Sequence, residues 1–291
     1  MIVAVTGASG FLGRPLCAHL MARGFEVRGL VRDPAAFARE VAGVRAGRCV
    51  LPDEIDEAVL SGADVVLHAA WATRETDPDR ARLANEDGSR RVVDAARRAG
   101  ARVVFVSSIA ARPDAPSHYG RSKYAVEQVV AGPRDAVVRP GLVLAPSGQG
   151  LFQQLRGLAA RLHVVPLFGG GRQPLQTVHV DDVCEAVARV IERELTGVVA
   201  IAEPDPVDLG TFLRLMTREM GVGCLFVPLP LAPILAVVRT IERLGMAFPL
   251  RSESLLGMQG MQRVAVADSL TRLGMDVRSA AESLRAIEAV S

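Results

Sequence analysis

Short, nearly unbroken apolar runs recur through the first two hundred residues, and stretches of helical periodicity separate them. The first run, Ile2-Val3-Ala4-Val5, predicts a buried strand, and the apolar spacing over 11–23 predicts the helix that follows it. Residues 26–31 repeat the strand pattern with Arg28 as one interior charge, and Arg32-Asp33-Pro34 stops them. Further strands are expected over 44–51, 64–68, 102–107 and 135–139, the last halted by Pro140-Gly141. Helices are expected over 54–60, 84–99 and 119–130, with Gly100 just past the end of the second. The run 102–107 is apolar almost throughout, as suits a strand covered on both faces. Strands alternating with helices in this way predict an α/β chain with a doubly wound parallel sheet.

The texture changes near residue 147. Gly148, Gly150, the run Gly169-Gly170-Gly171, Pro166 and Pro174 punctuate loops around a helix over 151–162. A helix over 181–194 and a strand over 197–202 return the chain to the main sheet. Beyond Glu203 a smaller, mostly helical lobe is expected, with helices over 209–220 and 234–244 and an apolar-periodic tail. The apolar 234–244 helix is read first as packing within that lobe, with a subunit contact or a membrane surface as alternatives. The division this implies is one domain from 1–146 with about 176–202, and a substrate lobe from 147–175 with 203–291, sharing a cleft at the strand ends.

Charge and cysteine usage narrow the partners. With 34 basic and 32 acidic side chains the net charge is +2, too close to neutral for nucleic acid as the main partner. Cys17, Cys49, Cys184 and Cys224 are scattered without C-x-x-C or ligand spacing and read as buried hydrophobes in a reducing compartment. The chain starts without a signal-peptide pattern, and the apolar stretch 227–238, broken by prolines, is too short to span a bilayer. A cytoplasmic protein without a membrane partner is expected. His68, His118 and His179 have no carboxylate or cysteine at ligand spacing, so no metal site is read.

Two constellations carry chemistry. Thr6-Gly7-Ala8-Ser9-Gly10-Phe11-Leu12-Gly13 joins the first strand to the first helix. Such a turn presents backbone N–H groups to a pyrophosphate at a helix N-terminus. Gly7 permits the tight turn, Gly10 the approach of phosphate, and Gly13 the packing of helix on sheet. The spacing is G-x-x-G-x-x-G, so Gly7, Ser9, Gly10, Phe11, Leu12 and Gly13 are candidates to hold a dinucleotide. The second constellation is Tyr119-Gly120-Arg121-Ser122-Lys123, preceded by Ser107-Ser108. Positions i and i+4 share a helix face, so Tyr119 and Lys123 project into one cleft. A neighbouring ammonium favours the phenolate and is expected to lower the pKa of Tyr119. A serine at a strand end then orients a substrate oxygen while proton and hydride move.

Together these motifs resemble the short-chain dehydrogenase/reductase superfamily, in particular its extended branch of NAD-dependent epimerases and dehydratases. Thr6 to Gly13 is similar to that family's cofactor loop. Asp64-Val65-Val66-Leu67-His68-Ala69-Ala70 resembles the segment under the adenosine ribose and diphosphate. Asn85-Glu86-Asp87-Gly88-Ser89 resembles the helix whose asparagine supports a proton relay. Arg139-Pro140-Gly141-Leu142-Val143 resembles the run beside the nicotinamide, and His179-Val180-Asp181-Asp182 the motif before the last sheet helix. The resemblance implies a Rossmann fold, an NAD(P) cofactor, and Ser108, Tyr119, Lys123 and Asn85 as catalytic residues. It implies cofactor contacts at Ala69, Ala70, Tyr119, Lys123 and Pro140 besides the glycine loop. The activity implied is alcohol–carbonyl conversion by hydride transfer on a small molecule, as net reduction or as a hidden step of epimerisation. A nucleotide sugar is the leading substrate class, and a homodimer through the helices beginning at Ala84 and Tyr119 is expected. Arg32 stands where the 2′-phosphate of NADP would sit, which favours NADP over NAD, although Asp33 still offers a carboxylate to a ribose.

Three departures bear on this. Arg48-Cys49-Val50 replaces the family's Gly-Asp-Leu or Gly-Asp-Val, the interval between Ser108 and Tyr119 is short, and the run between Ala70 and Asn85 is compact, with Trp71 at the expected cleft mouth. Trp71 either stacks on a ligand ring or fills the core. A different class also remains open, a non-catalytic NAD(P)H-binding redox sensor or assembly subunit.

Overall fold

The computed structural model describes residues 1–73, 75, 77–147, 150–244, 246 and 251–290. Gly148, one of the expected loop glycines, lies outside them. The frame is an eight-stranded sheet in the order Gly197–Ile201, Ala136–Pro140, Arg102–Val106, Val65–His68, Ile2–Thr6, Glu26–Val31, Arg45–Val50, Glu54–Ile55. All neighbours are parallel except the last pair. This is the doubly wound Rossmann-type α/β sheet that the alternating pattern predicts.

The chain runs outward from the first strand to Arg45–Val50, then returns across it to Val65–His68. The strand order therefore reverses between Ile2–Thr6 and Val65–His68, with Thr6 level with both Leu30 and His68. Parallel sheets open their binding crevice outside the strand ends at such a reversal. Side chains alternate across the sheet into two cores. Val3, Val5, Val104 and Val106 meet Leu16, Leu20, Val187 and Ile191 on one face. Ala4, Val66, Val103 and Phe105 meet Val92, Val93 and Val126 on the other. Cys17, Cys49 and Cys184 sit in these cores, their thiols pushed up by burial to about 12, 11 and 12, and are free; Cys224 is partly exposed.

A third core gathers the helices Leu151–Leu162, Leu209–Glu219 and Ala280–Glu288 around Phe152, Phe212 and Leu284. This C-terminal part is mostly helical, as expected, but it also holds a parallel strand pair, Val164–Phe168 with Leu225–Leu229. A second short pair, Leu142–Leu144 with Thr177–His179, follows directly on the strand Ala136–Pro140. The apolar helix Leu231–Arg243 turns Ile234, Leu235 and Val238 onto this core and leaves Val237 54% exposed. Core packing thus accounts for one of its faces. Among the described residues no helix is long and apolar enough to cross a membrane.

Candidate active site

The glycine turn has the conformation its residues require. Gly7 lies at φ +67°, its N–H donates to Leu30 O at 3.0 Å, and its carbonyl accepts from Gly10 N at 2.8 Å. A Cβ on Gly7 would stand 2.7 Å from Ala70 Cα, and one on Gly13 only 2.0 Å from Gly7 O. Backbone therefore fills both spaces. The N–H groups of Phe11 and Leu12 meet no acceptor among the described residues, so the turn offers donors at the N-terminus of the helix Gly13–Ala22. That donor set and the close backbone approach fit a dinucleotide diphosphate.

Beside the turn, Ser9, Arg14, Arg32, Asp33, Phe37 and Glu40 line an open groove of about 440 Å³. Arg14 pairs with Glu40 and donates from Nε to Ser9 O at 3.0 Å. Asp33 accepts from Ala36 N at 2.9 Å and so caps the helix Pro34–Glu40. Arg32 and Asp33 are the residues expected here, and Arg14 and Glu40 join them. Arg14 follows the last glycine of the turn, which is the signal that a second cation borders this groove.

A directional chain of hydrogen bonds ties the turn to Asn85. Ala70 N–H donates to Thr6 Oγ1 at 3.3 Å, and Thr6 Oγ1 lies 2.7 Å from His68 Nδ1. His68 Nε2 lies 2.8 Å from Ser89 Oγ, which donates to Asn85 O. Because Ser89 spends its proton on a carbonyl, Nε2 must donate and Nδ1 must accept, which makes His68 the neutral Nε2 tautomer. Burial, helped by the Lys123 charge, drives its pKa down to about 3. The Asn85 side-chain oxygen closes the chain by accepting from Ala72 N at 2.7 Å. Asn85 itself sits in a π-helical turn, Leu83–Asp87, that opens the helix Gly88–Arg98. The uniform helix expected over 84–99 thus begins one wide turn out of register, a feature found often at functional sites.

The second constellation comes together at the other side of the crevice. Ser117 caps the helix His118–Val129 by accepting from Gly120 N at 3.2 Å, so Tyr119 and Lys123 fall one turn apart near its start. Ser108 lies beside the Tyr119 hydroxyl and draws its pKa down, and Ser108 Oγ accepts from Ala110 N at 3.1 Å. Of the serine pair it is Ser108 that faces the site. Ser107 is buried and donates to Glu127, whose carboxylate also holds Arg139 on a neighbouring strand. Pro140 ends that strand, and its carbonyl accepts from Ile109 N at 3.0 Å.

Lys123 is 4% exposed, and its ammonium donates to Val106 O at 2.7 Å. It lies 3.7 Å from the centre of the Trp71 ring, 4.7 Å from that of Phe105 and 5.9 Å from that of Tyr119. Burial pulls it down to about 7 against the opposing charge of Glu127. The structure corrects one expectation here. Desolvation of its hydroxyl end raises Tyr119 above its ordinary value although the residue as a whole is 38% exposed, with Ser108 as the opposing influence. The ammonium that was to lower it is directed at Val106 and Trp71 instead. Trp71 meets Tyr119 edge-on at 6.1 Å and 81°, so it joins the Tyr119–Lys123 group while its far side packs on the sheet core. The Tyr119 backbone N–H donates to Glu253 at 3.3 Å, a contact from the C-terminal helices that no motif had signalled.

The remaining motif is structural. His179 Nδ1 accepts from Asp181 N at 3.2 Å and caps the helix Val180–Glu192, while Asp182 accepts from Arg278 N at 3.0 Å. Among the described residues, no three His, Cys, Asp or Glu side chains gather as a metal site would need.

The model of the NAD dependent epimerase/dehydratase family matches residues 3–202. The chain is 36% identical over 210 residues to the ceramide reductase of Caulobacter vibrioides, covering 69% of this chain and 64% of that protein, less than two thirds of its length. It is 35% identical over 246 residues to the 4-hydroxy-2-methyl-3-oxo-4-farnesyl-3,4-dihydroquinoline-1-oxide ketoreductase of Stigmatella aurantiaca, covering 75% of this chain and 73% of that one. The human epimerase family protein SDR39U1 (isoform 2), crystallised with NADPH, superposes with a TM-score of 0.73 at 20% identity, over 99% of both chains. The glycine turn, the sheet reversal beside it and these likenesses agree: the chain belongs to the NAD-dependent epimerase/dehydratase family.

Proposed function

We propose that the chain is an NADPH-dependent ketoreductase, with Tyr119 as the proton donor. The observation that carries this reading is the Ser108–Tyr119–Lys123 cluster across the crevice from the glycine turn. A nicotinamide dinucleotide held by the glycine turn would supply the hydride to the carbonyl carbon. As that C–H bond forms, the Tyr119 hydroxyl gives its proton to the carbonyl oxygen, which becomes the alcohol, and solvent later restores the phenol. Ser108 donates to the same oxygen and holds it at the phenol. A phenol, with its ordinary pKa of about 10, is protonated at neutral pH, which suits this direction. Asn85 fixes the segment carrying Trp71, and Lys123 binds the nicotinamide ribose. Gly7, Ser9, Gly10, Phe11, Leu12, Gly13, Ala69 and Ala70 hold the diphosphate side, and Pro140 borders the nicotinamide.

Arg32 favours NADP over NAD, and Arg14 in the same groove adds a second cation for the 2′-phosphate. On this reading residues 1–146 with about 176–202 bind the cofactor, and 147–175 with 203–291 shape the substrate site. The chain works as a cytoplasmic homodimer. Both curated relatives named above are reductases, and one acts on a ketone carrying a farnesyl group. Their names favour a ketone on an apolar carrier over the nucleotide sugar.

Purified protein is mixed with NADPH and a panel of long-chain ketones and UDP-hexoses, and NADPH absorbance is followed. Loss equal to the ketone consumed is expected, with Tyr119→Phe lowering kcat by about 100-fold or more. Isomerised UDP-hexose with the cofactor unchanged would instead mean epimerisation. Tight NADPH binding without turnover of any carbonyl, and Tyr119→Phe neutral in cells, would mean a sensor.

A further inference from the structure

The helix Ser252–Gln259 has two working faces. Leu255 and Met258 turn one of them into the core of the C-terminal lobe. Polar contacts fix it there as well: Ser252 N–H donates to Glu242 at 2.9 Å, and Ser254 Oγ donates to Gln154 Oε1 at 3.2 Å. Glu253 and Gly260 stand seven positions apart, close to two turns, and so share the other face.

That second face holds the short stretch that separates Ser108 from Tyr119. Glu253 Oε2 accepts from Tyr119 N at 3.3 Å, a first-turn donor that the helix His118–Val129 cannot satisfy itself. Gly260 O accepts from Arg112 Nη1 at 2.7 Å. Gly260 also lies against the Pro116 ring, where an added Cβ would stand 2.8 Å from Cγ and Cδ. Both charges have the sign that their helix end favours, a carboxylate at an N-terminus and a guanidinium at a C-terminus. At its other end the stretch is tied to the sheet, because Ile109 N donates to Pro140 O. Ser108 is thus placed by the sheet, while the backbone of Tyr119 is held from the C-terminal lobe.

We propose that Glu253 is a positioning residue, which fixes the start of the helix His118–Val129 and with it the place of the Tyr119 hydroxyl relative to Ser108. The inference rests on the reading of Tyr119 as the proton donor. Glu253 acts through the Tyr119 backbone and not on the reacting atoms. Proton transfer depends steeply on where its donor stands, so a small displacement of Tyr119 lowers turnover. The glycine turn lies outside this contact and keeps its hold on the cofactor. The lobe that shapes the substrate site thereby also sets the aim of the phenol.

Trp71, the one tryptophan of the chain, meets the Tyr119 ring edge-on, so its emission reports a movement of that ring. Amide hydrogen exchange over 116–124 reports the Tyr119 N–H itself. Both are recorded on the whole protein, beside NADPH-dependent turnover of methyl nonyl and methyl undecyl ketones. Glu253→Ala is expected to speed the exchange, to change the emission and to lower kcat by about 3- to 10-fold at an unchanged KM for NADPH. Glu253→Gln, whose amide oxygen still accepts, is expected to recover most of all three. Gly260→Ala, whose Cβ meets a proline ring that cannot swing aside, is expected to act like Glu253→Ala. Exchange and emission unchanged in Glu253→Ala overturn the proposal. So does an altered exchange with kcat intact, or a KM for NADPH that rises as kcat falls, or a Glu253→Gln as impaired as Glu253→Ala. In each of these cases a strongly impaired Tyr119→Phe leaves the ketoreductase reading standing. Tyr119→Phe as active as the unaltered chain, or NADPH left unused with every ketone, overturns both.

Discussion

At the scale of single residues, magnitudes decide which cation reads the cofactor. Arg14 and Glu40 are each about half exposed, at 49% and 47%, so their ion pair is worth little and Arg14 is cheaply recruited by a stronger anion. A 2′-phosphate offers charge-assisted bonds of about 1.5–3 kcal/mol each. Arg32→Ala is therefore expected to weaken NADPH by about 10- to 100-fold and NADH hardly at all, and Arg14→Ala to act in the same sense; calorimetry with both cofactors measures it. Equal loss for the two would remove the phosphate assignment. Lys123 gives a prediction in pH. Its folded value of about 7 lies below the ordinary lysine value of 10.5, so between the two the unfolded chain binds more protons. The stability of the cofactor-free protein then rises with pH from about 7 toward 9, by an amount on the order of 1–3 kcal/mol. Denaturant midpoints at several pH values should show this rise in the unaltered chain and lack it in Lys123→Met. A flat profile in both would mean that the amine keeps its ordinary value.

Elements add what residues alone do not. The Cβ of an alanine at Gly13 would meet the carbonyl oxygen of Gly7 and the backbone of Ala8, and neither is the end of a flexible side chain. Gly13→Ala is expected to cost about 2–3 kcal/mol and to abolish dinucleotide binding. Gly157 is the control, since it lies within the helix Leu151–Leu162 with nothing within 4 Å of an added Cβ. Gly157→Ala is expected to stabilise by about 0.5–1 kcal/mol, read by thermal melts beside Gly13→Ala. The glycine turn was legible because its constraint is local, a strand, three small residues at fixed spacing and a helix. The π-turn at Asn85 was not, because its extra residue leaves the apolar spacing of 84–99 looking like ordinary helix. Two-stranded pairs such as Leu142–Leu144 with Thr177–His179 were missed for the opposite reason. Three residues carry no period, and their partner lies far along the chain. Trp71 was placed near the cleft by its neighbours, but its contact with Lys123 depends on how two distant segments pack.

At the scale of the molecule, the parallel sheet was readable because strands buried on both faces must be apolar throughout, and such runs survive in sequence. The lobe beyond Glu203 was readable only as helices, since its strand Leu225–Leu229 is short and broken by Pro228. Assembly is the level at which resemblance and surface chemistry pull in different directions. The helix Gly88–Arg98 exposes Arg90, Arg91, Asp94, Arg97 and Arg98, and with Ala125, Gln128 and Val129 of the next helix Arg90 and Arg97 line a groove of about 510 Å³. Arg98 is neutralised within the chain by Glu57 at 2.6 Å, and Arg97 spends a donor on Val129 O. A two-fold contact through these helices sets each patch against its own copy, so arginine faces arginine. We propose that the homodimer forms through this face against that repulsion. Its association should then tighten as salt rises, because the Debye length falls from about 30 Å at 0.01 M to about 10 Å at 0.1 M. Sedimentation equilibrium across that range measures the effect. Ala125→Glu should strengthen the dimer at low salt by giving the arginines a partner, and Ala125→Arg should dissociate it. Association that weakens with salt, or that ignores both substitutions, would place the contact on another face.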